Sequence, residues 1–216
     1  MNANRPRTAT EPEDPLRCAV PLPCRREFYP HGFPMRLSTN SGAVLSAAEE
    51  IWGDMPRRFE EPPIEVACLV AGAGAGLPPF PTVRARRHLL TSVSDVDNHL
   101  ACDLADGAAS IWVTETVARN PEFLRYHFLE AAVYSLLDTR HLVAVHAACV
   151  ALDGRGVLLA GVSGAGKTTL AYACARRGWV YTADDASFIV RRSAARKVLG
   201  NPRVFRFRDT AGRLFP

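Results

Sequence analysis

Gly161-Val162-Ser163-Gly164-Ala165-Gly166-Lys167-Thr168 is the stretch that decides how this chain is read. It fits G-x-x-x-x-G-K-[ST] without a departure. Each fixed position has a chemical reason. Glycines let successive backbone N–H groups turn inward around one anion. A lysine at the seventh position reaches the β- and γ-phosphates, and the hydroxyl after it is a magnesium ligand. A helix beginning there adds unpaired N–H groups and the positive end of its dipole. The flanking sequence supplies that setting. Gly156 to Ala160 is apolar throughout, which predicts a central strand. Lys167 to Arg177 predicts a helix, closed by Gly178 in the left-handed conformation. The expectation is a nucleoside triphosphate site. Gly161, Ser163, Gly164, Ala165, Gly166, Lys167, Thr168 and Thr169 hold the phosphates, and Thr168 also holds the metal.

The next predicted strand, Trp179 to Ala183, ends at Asp184-Asp185, 17 and 18 residues after Lys167. In a parallel sheet, strand ends and helix N-termini share the edge where ligands bind. The pair is therefore expected to face the loop. One carboxylate can serve the metal, and the other can take a proton from an attacking hydroxyl. Read alone, an Asp-Asp pair caps a turn; the loop just upstream favours chemistry. On the other side, Leu142 to Leu152 reads as one strand carrying His146, followed by a tight turn at Asp153-Gly154. A histidine in an apolar strand is either a core residue or a phosphate contact, and both readings stay open. Gly72-Ala73-Gly74-Ala75-Gly76 does not complete G-x-G-x-x-G and runs into Pro78, Pro79 and Pro81, so it reads as a flexible linker.

Farther out, Pro121 to Thr139 predicts a long helix. Asn120 is its cap, and Leu124, Phe128, Ala131, Ala132, Ser135 and Leu136 form an inward stripe. Residues 64–70, 87–92, 99–104 and 109–116 read as strands, the later ones antiparallel. Residues 43–52 read as a short helix behind Ser41. Phe188 to Arg191 and Arg203 to Phe207 read as further strands. Residues 1–27 are rich in Pro, Arg and Glu without periodicity, the composition of a disordered tail. The chain thus divides into that tail, an α+β part at 28–118 and a nucleotide-binding core at 119–216. The fold class is α/β, a mixed sheet flanked by helices.

The 216 residues carry a net charge of +4, with only Lys167 and Lys197 as lysines among the 26 basic side chains. No basic stripe with interleaved aromatics argues for nucleic acid. No apolar stretch approaches the ~18 residues of a membrane helix, and the N-terminus lacks a signal core. A cytoplasmic protein is expected. Cysteines 18, 24, 68, 102, 149 and 174 have no metal-type spacing and are expected to be free thiols, mostly buried.

His146-Ala147-Ala148, the loop, Ala175-Arg176-Arg177-Gly178 and Ala183-Asp184-Asp185-Ala186-Ser187-Phe188-Ile189 together resemble the catalytic domain of HPr kinase/phosphorylase. That family is distantly similar to ATP-dependent phosphoenolpyruvate carboxykinase. The resemblance covers about residues 140–192, and the short spacing from loop to acidic pair carries it. The arrangement suits the family's divergent relatives in bacterial biosynthetic clusters, some of which phosphorylate precursors of ribosomally made peptides. The resemblance implies that the loop residues hold ATP and Mg2+, that Asp184 helps hold the metal, that Asp185 is the base, and that His146 lies near the phosphates. It implies a kinase acting on a serine of a protein or peptide. The alternatives are a nucleotide-binding regulatory or assembly protein and a small-molecule kinase. Homo-oligomers are expected by analogy with the family's hexamers. The family's later signature, with its Glu and downstream Arg, is not identifiable before Pro216; either the chain is a fragment or those parts are dispensable.

Overall fold

The computed structural model describes residues 21–192 and 196–200. Its first part contains β1 (Cys24–Phe28), a 3-10 turn (Pro30–Gly32), β2 (Met35–Thr39), α1 (Gly42–Trp52) and β3 (Ile64–Val70). Then follow β4 (Thr82–Arg86), β5 (Leu89–Val93), β6 (His99–Asp103), β7 (Ala108–Val113) and α2 (Glu115–Ala118). The seven strands form one sheet in the order β1-β2-β3-β7-β6-β5-β4. The expected antiparallel pairing holds toward the edges, but β3 runs parallel to both β2 and β7. The centre of the sheet is therefore parallel.

β2, β6 and β7 alternate between buried and half-buried residues, the period of a sheet packed on one face. Helix α1 and a long rod cover that face. The rod comprises α3 (Pro121–Leu124), a π-helical turn (Arg125–Leu129) and α4 (Glu130–Arg140). Asn120 starts it as expected, its Oδ1 accepting from Phe123 N at 2.9 Å. The π turn alters the inward stripe. Leu124, Phe128, Ala132 and Leu136 are buried as anticipated, but Val133 and Leu137 point inward in place of Ala131 and Ser135. An extra residue in one turn rotates everything after it.

One departure from the sequence reading lies at the edge of this sheet. Residues 24–27, assigned to a disordered tail, form with Phe28 the edge strand β1. Its polar run Arg25-Arg26-Glu27 is exposed. Arg26 pairs with Glu49 at 2.7 Å, and Arg36 bridges Glu27 and Glu65 at 3.4 and 2.6 Å. Cross-strand charges support an edge strand yet look like tail composition. Residues 1–20 lie outside the described residues. The glycine run at 72–76 is also tied down. Gly72 O and Ala73 O accept from the backbone N–H of Glu115 and Thr116 at 2.9 and 3.1 Å, at the start of α2. It is a fixed turn rather than a linker.

The second part contains β8 (Leu142–Val145), β9 (Ala147–Leu152), β10 (Arg155–Ala160), α5 (Lys167–Ala175), β11 (Val180–Ala183), β12 (Ser187–Val190) and β13 (Val198–Gly200). Two three-stranded sheets result, β10-β9-β11 and β13-β12-β8. The single strand expected over 142–152 is broken at His146, and its halves join different sheets. An apolar run without a turn residue hides such a break. β10 was expected to be central; among the described residues it pairs with β9 alone, at the edge of its sheet, with Val157 42% exposed. β9 is the centre, buried over its first four residues. Apolarity reports that a strand has a covered face, not which neighbours flank it. The expected strand at 203–207 lies outside the described residues.

One buried cluster joins the large sheet, α1, the rod, and Leu142, Phe188 and Val190. It therefore crosses residue 119, where the sequence divides the two parts. Of the cysteines, 24, 68, 102, 149 and 174 are free, and 18 lies outside the described residues. Burial pushes the Cys68 thiol up to about 12 and the Cys102 thiol up to about 11, which keeps both protonated.

Candidate functional site

The small sheet β10-β9-β11 gathers the residues singled out in the sequence. Both outer strands run antiparallel to β9, so they run in the same direction as each other. The ends of β10 and β11 therefore emerge at the edge where β9 begins. Ala160 pairs with Ala147, and Ala183 with Cys149. The loop leaves after Ala160, Asp184 and Asp185 follow Ala183, and His146 immediately precedes Ala147. The expected shared edge exists, although the sheet is antiparallel rather than parallel.

The loop is a turn with two left-handed glycines, Gly164 at φ 87° and Gly166 at φ 85°. A side chain would be strained at either position. Gly166 is also the cap residue of α5 and has no side chain to satisfy the first N–H groups. Those donors are the ones a phosphate would use. Gly161 sits where an added Cβ would lie 3.1 Å from Ala165 Cβ. Lys167 folds back over the turn, and its Nζ donates to Gly161 O at 2.8 Å and to Val162 O at 3.3 Å. Gly161 to Gly166 are exposed, while Lys167, Thr168 and Thr169 are half-buried in the first turn of α5.

Opposite the loop, His146 Nδ1 lies 3.1 Å from Asp185 Oδ1, with both side chains mostly exposed. This contact joins two residues nearly forty positions apart, and the sequence reading had not paired them. Asp184 is half-buried. Burial, reinforced by the Asp184 charge, raises the Tyr181 hydroxyl to about 12. Two hydroxyls pin the acidic turn onto β9. Thr182 Oγ1 donates to Cys149 O at 2.9 Å, and Ser187 Oγ donates to Ala147 O at 2.9 Å. Sequence reasoning missed both, although a Thr two residues before the pair and a Ser two residues after it were visible.

Among the described residues no group of three or more His, Cys, Asp or Glu could hold a metal. That bears on a dedicated cage of side chains only. Magnesium keeps most of its waters and takes one or two protein oxygens plus substrate phosphates. Thr168 at the head of α5 and Asp184 after β11 are two hard oxygen donors of that kind. The donor set fits a phosphate-bound Mg2+.

Residues 112–200 match the family model described as SynChlorMet cassette protein ScmC. The match spans under half of the chain and runs from the end of β7 to β13. It takes in the loop, Lys167, His146 and the Asp184-Asp185 pair. No curated protein and no solved structure matches the chain.

Proposed function

We propose that this protein is an ATP-dependent kinase that transfers the γ-phosphoryl group to a hydroxyl, a serine of a protein or peptide precursor. The observation that carries the reading is the meeting of the glycine loop, Lys167 and the His146–Asp185 contact at one edge of β10-β9-β11. The segment that carries this edge also lies within the match to the cassette protein family. The HPr-kinase-like phosphate-loop core is part of this proposal.

Phosphoryl transfer asks a protein mainly for positioning and charge neutralisation. The N–H groups at the head of α5 and the left-handed glycines would receive the phosphates. Lys167, released from Gly161 O and Val162 O, would bring its ammonium to the β- and γ-oxygens. Mg2+ held through Thr168 and Asp184 would neutralise further phosphate charge. Asp185 would accept the proton of the serine hydroxyl as its oxygen bonds to the γ-phosphorus and the bond to the bridging oxygen of ADP breaks. His146, 3.1 Å from Asp185 Oδ1, would hold that carboxylate in place. No helix among the described residues is long and apolar enough to cross a membrane. The reading is of a cytoplasmic enzyme.

The test uses γ-labelled ATP, Mg2+ and serine-bearing peptides with the wild type, Lys167→Ala and Asp185→Asn. Label on serine, lost in both variants while both keep the wild-type melting temperature, is the expected result. Transfer by Asp185→Asn at the wild-type rate would overturn the assignment of the base. Tight ATP binding without transfer would favour a regulatory nucleotide-binding protein.

A further inference from the structure

The strand that leads to His146 starts at a cationic cavity. A space of about 580 Å³ is bordered by Arg140, His141, Arg191, Arg192 and Lys197, with Glu61 as the acidic side chain on its lining. Its apolar wall is a stack of rings. Phe33 lies 4.0 Å from Phe59 and 4.7 Å from His141, and the Lys197 ammonium is 5.6 Å above Phe59. Arg140 and Arg191 are held there by backbone carbonyls, Ala105 O for the first and Asp138 O and Leu142 O for the second. Asp138 interacts with Arg191, and burial raises its pKa against the pull of that charge.

From this cavity β8 runs Leu142–Val145 to His146. It is the last strand of its sheet, paired only with β12 among the described residues. Arg191 N donates to His141 O at 2.7 Å, which fixes the alternation of the ladder. Val143 and Val145 therefore bond to β12, while Leu142 and Ala144 turn their N–H and C=O groups to the open side. Leu142 O is taken by Arg191 Nε. Ala144 lies on an exposed stretch, and among the described residues no strand pairs with its outward N–H and C=O. An open strand edge of this kind accepts an extended peptide as an added strand.

We propose that the peptide substrate is acidic and docks as an extra strand along the open edge of β8. Its carboxylates would enter the cationic cavity and its serine would lie at the His146–Asp185 end. This rests on the kinase reading for its occupant. Charge complementarity and the continuity of β8 with the candidate site argue for that occupant over a second copy of the chain. The geometry sets the spacing. Leu142 to His146 spans about 13 Å at ~3.3 Å per residue, so the acidic residues sit four or five positions from the serine.

The experiment uses the full chain and a peptide with one central serine and two aspartates at four and five residues on each side. Binding is read by fluorescence anisotropy without nucleotide, and transfer by label from ATP. The account expects affinity to fall at least tenfold when the aspartates become asparagines, and likewise in Arg192→Glu and Lys197→Glu. It expects a similar loss in Ala144→Pro, which removes the outward N–H but no bond to β12. Should that variant misfold, N-methylation along the peptide provides the check. Binding must be lost at alternate positions only, since one N–H in two faces β8. Equal affinity for the aspartate and asparagine peptides, or no alternation in the N-methyl series, overturns the docking proposal. So does an Ala144→Pro effect confined to self-association. Label transfer that ignores these changes would sink the docking and leave the kinase reading standing. Docking as described without transfer would do the reverse.

Discussion

The seven-stranded sheet and the small sheet β10-β9-β11 meet different demands within one chain. The first packs Trp52, Met35, Ile64, Phe128 and Leu136, each at most 1% exposed, into a cluster that reaches from Phe28 to Val190. The buried cluster of the second consists of Ala148, Val150 and Ala171, and Val157, Leu170 and Val180 stand 42%, 51% and 63% exposed. Burying a large apolar side chain contributes ~1.5–3 kcal/mol, so the stability of the described residues resides in the first region. The candidate chemistry resides in the second. Sites that must admit ligands are drawn from the less stable parts of a fold, and the frame beside them holds their geometry.

That division can be broken by substitution. Phe128→Ala, in the packed rod, should lower unfolding free energy by about 3–5 kcal/mol in urea titrations. A loss below about 1 kcal/mol would mean that the cluster is not the frame. Asp185→Asn should behave in the opposite way. Phosphotransfer is expected to fall about 10²- to 10⁴-fold, the usual span for a general base, with the urea midpoint unchanged. A stability loss comparable to that of Phe128→Ala would make the acidic turn a structural element instead. Ala171→Leu probes the thin core of the small sheet, where there is no room for a larger side chain. A cost of about 1–3 kcal/mol is expected, together with weaker ATP binding, because α5 carries Lys167 and Thr168.

The smallest effect is that of pH on the packed side. His141 has its pKa lowered from its ordinary 6.5, first by burial and then by Arg140 and Arg192, with Glu61 opposing. The unfolded chain therefore takes up the proton first as pH falls. The neutral form's contribution is present above pH 6.5 and is lost as pH drops through the lower folded value. Unfolding free energy measured from pH 7.5 to 5.5 should show that decline, and His141→Phe should flatten it. An unchanged slope in the variant would remove His141 as the cause.

The two regions also differed in how legible they were. The strand at 64–70, the helix start at Asn120 and the left-handed Gly178 follow from local patterns, because period, cap and turn chemistry act over a few residues. The loop at 161–168 was legible for the same reason, since every part of it is contiguous. What stayed hidden was pairing. Nothing in Leu142–Leu152 marks the break at His146, and nothing in apolar Gly156–Ala160 says that it lies at the edge of the sheet formed by the described residues. The His146–Asp185 contact depends on β9 lying between β10 and β11, a fact of topology that local sequence does not encode. Edge strand β1 was missed because its ion pairs, Arg26 with Glu49 and Glu27 with Arg36, join it to other elements of the chain.

Hydrogen exchange of the full chain with and without Mg-ATP tests the central claim most directly. The account predicts new protection in residues 161–170 and 183–186, at the shared edge of the small sheet, and none in β2, β3, β6, β7 or the 121–140 rod. Protection confined to the large sheet, or no change at the loop under saturating Mg-ATP, would contradict it.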